Sequence, residues 1–223
     1  MVMSMTMKGK TGRPVKVEGE KGTKEKIFDA AVDLFAERGY DGVSIRDIAK
    51  AVGIKESSVY KHYRSKDEIL DTIFEYMKAR LYPAQPAGQG MEAMLDALTF
   101  EQVLEAGYAS LQRMMADPVM LKVTRIITIE LYRNEKIRAF FYSQMFERPV
   151  DDTELLFRRL MDRKKISRYD PRALATSYFA FTVYMHMETF LLRYDQGLDQ
   201  ELIAKKSRAH MKLFVDMLKP EDN

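Results

Sequence analysis

Apolar positions recur every three or four residues along nearly the whole chain, and no stretch shows the period of two expected of a half-buried strand. From Thr23, the expected N-cap of a first helix, Ile27, Ala30, Ala31, Leu34 and Phe35 share one face until Gly39 stops it, with Phe28 and Phe35 expected in the core. A second stripe, Ile45, Ile48, Ala49 and Val52, ends at Gly53. A third, shorter helix over 55–63 buries Val59 and turns Glu56, Ser57, Ser58, Lys61 and His62 outward. Ser65 then opens a fourth, with Ile69, Leu70, Ile73, Phe74 and Met77 at helical spacing as far as about Tyr82, where Pro83, Pro86, Gly88 and Gly90 break the pattern. Further helices are expected over about 91–116, 118–132, 134–165, 171–195 and 199–218. Asp117-Pro118 and Asp170-Pro171 mark starts, Gly197 a stop, and Pro149 either splits or bends the long central pattern. The expected fold is all-α.

Two short helices joined by a glycine turn, the second thick with hydrogen-bonding side chains, have the layout of a helix-turn-helix whose second helix enters a DNA major groove. Ser44, followed three residues later by Asp47, is an acidic capping box, and a helix start of that kind also offers a hydroxyl and backbone amides to a phosphate. The run IAKAVGIKESSVYKHYRSKDEIL, preceded by AAVDLFAERGYDGVSIRD, resembles the DNA-binding domain of TetR-family transcriptional repressors over roughly residues 24–80. The resemblance implies that Arg46 reaches base edges, that Glu56, Ser57, Ser58 and Lys61 lie in the groove, and that Tyr60, His62 and Lys66 hold phosphates. An arginine such as Arg46 can bond both acceptors of a guanine. The pattern departs from many relatives at Lys55, which replaces a Ser or Thr cap, cannot accept a hydrogen bond, and is assigned to a phosphate instead.

Charge distribution agrees with this placement. Residues 1–66 hold fourteen Lys and Arg against nine Asp and Glu, a net of +5, and the remainder holds 22 against 24, a net of −2. Residues 1–22 carry Lys8, Lys10, Arg13, Lys16 and Lys21 without apolar periodicity, a basic arm that either follows the DNA or is a plain disordered tail. The absence of cysteine excludes disulfides and thiolate metal sites, and the three histidines are too scattered to suggest a metal. No cofactor is expected. No stretch approaches the roughly 18 apolar residues of a membrane span, and the opening MVMSMTMKGK lacks the apolar core of a signal peptide, so a cytoplasmic location is expected.

The expected organisation is the arm over 1–22, a three-helix DNA-binding domain over 23–66, and a larger helical ligand-binding and dimerisation domain over 67–223 that begins with a connecting helix at 66–82. In ALATSYFAFTVYMHMETFLLRY nearly every side is apolar, so that helix must be buried on more than one face, and Ile203, Leu213, Phe214, Met217 and Leu218 give the last helix a partner stripe. The resemblance implies that 171–195 and 199–218 pair with their two-fold mates in a homodimer. Methionine and aromatic residues abound in this half: Phe100, Tyr108, Met114, Met115, Tyr132, Phe141, Tyr142, Met145, Phe179, Tyr184 and Met187. They either fill the helical core or line a pocket for an apolar guest, as the family implies. Tyr108, Met114, Met115, Tyr132, Phe141, Met145, Tyr184 and His186 are the candidate ligand contacts. Arg125 and Glu130, on one apolar helix, are candidates to pair with each other or to meet a polar head group.

With no nucleophile motif, phosphate loop or metal cluster, catalysis is not expected. The sequence therefore describes a homodimeric repressor that binds an inverted-repeat operator in double-stranded DNA and is released by a small apolar or amphiphilic molecule. In that reading the ligand acts by moving the connecting helix, and with it the two reading heads. The alternative is a DNA-bound adaptor whose second domain engages a protein partner.

Overall fold

The computed structural model describes residues 21–82 and 89–220, so the basic arm over 1–20 and the chain breakers Pro83, Pro86 and Gly88 lie outside the described residues. Within them the chain forms eleven α-helices and no strand: α1 Thr23–Arg38, α2 Ile45–Val52, α3 Glu56–Val59, α4 Lys66–Leu81, α5 Gln89–Ala97, α6 Phe100–Met115, α7 Pro118–Glu130, α8 Glu135–Tyr142, α9 Arg148–Asp162, α10 Pro171–His186 and α11 Gln200–Met217. Two π-helical segments interrupt them, Ser143–Glu147 between α8 and α9 and Met187–Leu192 after α10.

Several ends follow from caps legible in the chain. Ser44 accepts from the Asp47 amide while the Asp47 carboxylate takes the Ser44 amide, and Gly53 closes α2 in the left-handed conformation at φ 75°. Ser65, Asp117, Asp170 and Asp199 cap α4, α7, α10 and α11. Other boundaries differ from expectation. Gly22, not Thr23, is the N-cap of α1, its amide donating to Glu25 Oε2 at 2.7 Å. The helix expected over 91–116 is two helices, because Thr99 and Gln102 form a capping box that starts α6 afresh. Pro149 neither splits nor sharply ends the central helix. It has no amide to bond in an α turn, and the turn before it widens, with the Arg148 amide bonding Ser143 O five residues back.

Two apolar clusters hold the fold. The first joins Ile27, Ala31, Phe35, Ile48, Val59, Tyr63 and Ile69 of the N-terminal helices to Met120, Val123, Ile126 and Ile127 of α7 and Ile137 and Phe140 of α8. Phe74 of α4 stacks on Phe140 at 4.0 Å between ring centroids. The second joins α5, α6, α9, α10 and α11 through Leu95, Phe100, Phe157, Leu160, Leu174 and Phe214. Each fully buried apolar side chain contributes about 1.5–3 kcal/mol. The packing therefore does not divide at residue 66: α7 and α8 share their core with the N-terminal helices.

Candidate DNA-binding surface and ligand cavity

Helices α2 and α3 meet across Gly53, and Val59, fully buried, anchors α3 to the head. α3 spans only four residues, shorter than the 55–63 expected, because Val59 O accepts from both His62 N and Tyr63 N and the chain curls inward with Tyr63 buried. Lys55 occupies its N-cap with no side-chain capping bond. Arg46, Lys55, Glu56, Ser57, Tyr60 and Lys61 are exposed, and Ser58 and His62 are half-buried, on the same connected stretch. Arg46, Lys55 and Lys61 make no ion pair among the described residues, leaving their charges for an external anion.

Two predicted contacts have internal partners. The Ser44 hydroxyl is engaged with Asp47, which serves the cap. The Lys66 ammonium donates to Tyr40 O at 2.9 Å and Val43 O at 3.0 Å and sits 4.2 Å from the Tyr40 ring centroid, while the Tyr40 hydroxyl donates to Asp67 at 2.7 Å. Lys66 thus fastens the start of α4 to the turn before α2, a role that stands beside the phosphate contact expected of it. The lysine could be read as cationic from the chain, but its two carbonyl acceptors lie 23 and 26 residues away and carry no sequence signal.

The second site is a cavity of about 680 Å3 between the two apolar clusters. Tyr108, Met114, Met115, Phe141, Met145 and His186 line it, and Tyr132 stands almost wholly exposed at its rim. Tyr184 is corrected: it lies outside the wall, half-exposed, its hydroxyl accepting from Lys206 at 3.1 Å. Tyr142 is also outward, and Phe100 belongs to the second core rather than to the wall. Arg125 and Glu130 do not pair. Arg125 stands 5.6 Å from the Tyr194 ring centroid, whereas Glu130 is buried against the N-terminal helices. Both π segments contribute wall residues, Met145 and Phe146 from one and Met187, Thr189 and Phe190 from the other, a placement no periodicity announces.

The wall carries no aspartate or glutamate. His186 Nε2 lies 3.3 Å from Thr128 Oγ1, and His210 Nε2 lies 3.1 Å from Tyr178 O with its ring stacked 4.2 Å from Phe181. Burial pulls both imidazoles below the ordinary histidine pKa, and for His210 the Tyr178 carbonyl only partly opposes it. Because protonation is disfavoured in the folded state, the unfolded chain binds more protons at mildly acidic pH, and the histidines' contribution is lost as pH falls below about 6.5. Thermal melts at pH 7.5 and pH 5 are expected to show a larger acid loss for the wild type than for a His186→Gln, His210→Gln variant. Equal losses would place these rings in contact with water. Among the described residues no group of acidic residues and histidines is arranged to hold a metal ion, and no helix is long and apolar enough to cross a membrane.

A helix-turn-helix with unpaired cations on its outer face, carried by a helical body, is the layout of a DNA-binding transcriptional regulator. Residues 27–73 match the family described as bacterial regulatory proteins, tetR family. The chain is 54% identical over 57 residues, 24% of its length, to the biofilm operon icaADBC HTH-type negative transcriptional regulator IcaR of Staphylococcus epidermidis, and spans 31% of that relative. A TetR family transcriptional regulator from Pseudomonas syringae pv. tomato shares the fold at a TM-score of 0.63 and 15% identity, over 88% of this chain and 96% of the other. The flavonoid-responsive regulator FrrA does so at 0.61 and 20%, over 89% and 98%. The match to the tetR family covers the head, residues 27–73, and the likeness to the solved structures extends the shared fold over the rest of the described chain.

Proposed function

We propose that the protein is a homodimeric repressor that binds an inverted-repeat operator and releases it when a small, largely apolar molecule enters the cavity. The observation that carries the DNA reading is the outer face of α2 and α3, where Arg46, Lys55 and Lys61 are exposed and unpaired beside Ser57 and the half-exposed Tyr60. Base contacts are assigned to Arg46, Glu56, Ser57, Ser58 and Lys61, and phosphate contacts to Ser44, Lys55, Tyr60, His62 and Lys66, of which Ser44 and Lys66 also hold the scaffold. IcaR, 54% identical over 57 residues, is a negative regulator, and repression is proposed here by that likeness.

One head spans few base pairs, so specificity requires a two-fold pair set about one helical turn apart, roughly 34–36 Å. The surface proposed for that pairing is the outward face of α10 and its π extension, with Ala173, Ser177, Ala180, Tyr184, Met187 and Leu191, together with Ala209, Leu213 and Met217 of α11. The ligand class follows from the cavity: about 680 Å3, walls mostly of apolar and aromatic side chains with no acidic residue, histidines uncharged at neutral pH, and Arg138 beside threonine, serine and tyrosine hydroxyls as polar groups, which suits an apolar body with a polar or anionic end. A cavity of this size also argues against the adaptor reading, which calls for a solid core.

On a duplex selected from a random pool by the wild type, Tyr60→Ala is expected to weaken binding to all sequences alike. Arg46→Ala is expected to lose about 1–3 kcal/mol and relax preference at one base pair. Wild-type anisotropy titrations for both variants would show that the contact face lies elsewhere.

A further inference from the structure

The cavity and the reading head share a wall, and that wall is α7, not the connecting helix. No residue of α4 lines the cavity, whereas Met120, Leu121, Thr124 and Thr128 of α7 do. The opposite side of α7 packs along α1 and is tied to the head and connector at three places. At its start, Asp117 accepts from the Tyr76 hydroxyl at 2.8 Å and from Arg80 Nε at 2.5 Å. In its middle, Lys122 meets Asp33 at 2.6 Å. At its end, Glu130 Oε1 accepts the backbone amide of Tyr40 at 2.8 Å, immediately before the helix-turn-helix.

The last tie differs in kind from the exposed pair at Asp33, which adds little. Glu130 is 2% exposed, and its second oxygen is buried without a hydrogen-bond partner among the described residues. The contact is also built around the carboxylate. Gly39 has φ +76°, and a Cβ there would lie 2.5 Å from Glu130 Oε1, so only glycine admits this approach. A buried carboxylate held by one backbone amide cannot slide to another partner without leaving that amide unsatisfied. At the cavity side of the same helical turn, Thr128 Oγ1 bonds Thr124 O at 2.9 Å and faces His186.

We propose that Glu130 is the positioning residue of the ligand response: it joins the cavity-lining helix α7 to the Tyr40 amide, so that a guest in the seam between the two apolar cores moves α7 and the reading head together. The proposal rests on the ligand-responsive reading above and adds which element carries the motion. The connecting helix follows because Tyr76, Arg80 and Asp71 bind it to the same body, the last through Lys136 of α8 at 2.6 Å. The faces assigned to dimerisation lie on α10 and α11, across the seam, so displacement at the seam changes the spacing of the two heads.

The test is a double-mutant cycle on DNA affinity, with Thr182→Trp as a built-in occupant of the cavity, since Thr182 is part of its wall. The DNA is the duplex selected by the wild type. Thr182→Trp is expected to weaken binding about tenfold in the wild-type background and less than about twofold with Glu130→Leu, while Glu130→Gln, which keeps an acceptor for the Tyr40 amide, restores most of the response. If Glu130→Leu does not melt cooperatively, Glu130→Asp, one methylene too short to reach the amide, takes its place. An equal effect of Thr182→Trp in all backgrounds overturns the role of Glu130 and leaves the ligand-responsive reading standing. If Thr182→Trp leaves DNA affinity unchanged in the wild-type background, cavity and head are not coupled, and both readings fall.

Discussion

Ala180→Glu is expected to turn the protein into a monomer and lower its affinity for the selected duplex by about 100-fold or more, the loss that follows when two linked contacts become one. The residue lies in the middle of the outward face of α10, exposed, with Ser177 and Tyr184 a turn to either side. Small side chains at Ala173, Ser177 and Ala180 let a second helix approach closely. In the proposed two-fold pairing the same patch meets itself, so one substitution introduces two glutamates into one interface. Two like charges removed from water without partners cost several kcal/mol. The reading head lies in the other apolar cluster, so its fold is expected to survive and circular dichroism to remain helical. Sedimentation equilibrium and anisotropy together check the result. A variant that keeps the dimer mass at micromolar concentration and binds DNA like the wild type would exclude this face as the subunit contact.

The largest loss of stability is expected at Phe35→Ala. Phe35 is fully buried, packs edge-on against Tyr40 at 5.2 Å between centroids, and sits where α1 meets the turn that Lys66 and Glu130 both hold. Removing a buried phenyl ring costs about 3–5 kcal/mol, through lost burial and the cavity left behind. Against a total stability of about 5–15 kcal/mol that is enough to populate an unfolded head. Because α7 and α8 share this core, the loss is expected to appear in the main urea transition and not as a small separate step for the N-terminal helices. A midpoint shift equivalent to less than about 1 kcal/mol would mean that the core around α1 can refill the space.

Much of the DNA-binding half was legible because its signals are local. The Ser44–Asp47 box, the left-handed Gly53, the Ser65 cap and the stripes that end in Phe35 and Val52 or begin at Ile69 all act within a turn or two of themselves, so the residue order carries them. The Thr99–Gln102 box is equally local, but it lies inside an unbroken apolar pattern that runs on through it, so the division of 91–116 is masked in the sequence. Tyr184 shows the limit. An aromatic residue on a helix apolar all round has no preferred side in sequence, and the Lys206 contact that keeps it outside the cavity is set by how α11 crosses α10.

By itself, the sequence determined the helical class, the position and outward residues of the helix-turn-helix, its family resemblance and the concentration of positive charge near its start. Periodicity, capping and charge are properties of neighbours along the chain. Only the tertiary structure decided that α7 and α8 share a core with the reading head, that the cavity lies in the seam between two cores, and that Glu130 meets the amide of Tyr40, 90 residues before it in the chain. Those relations depend on which faces of separate helices meet. Helices that are apolar on several sides can pack in more than one way until the whole set of buried side chains and paired polar groups selects one arrangement.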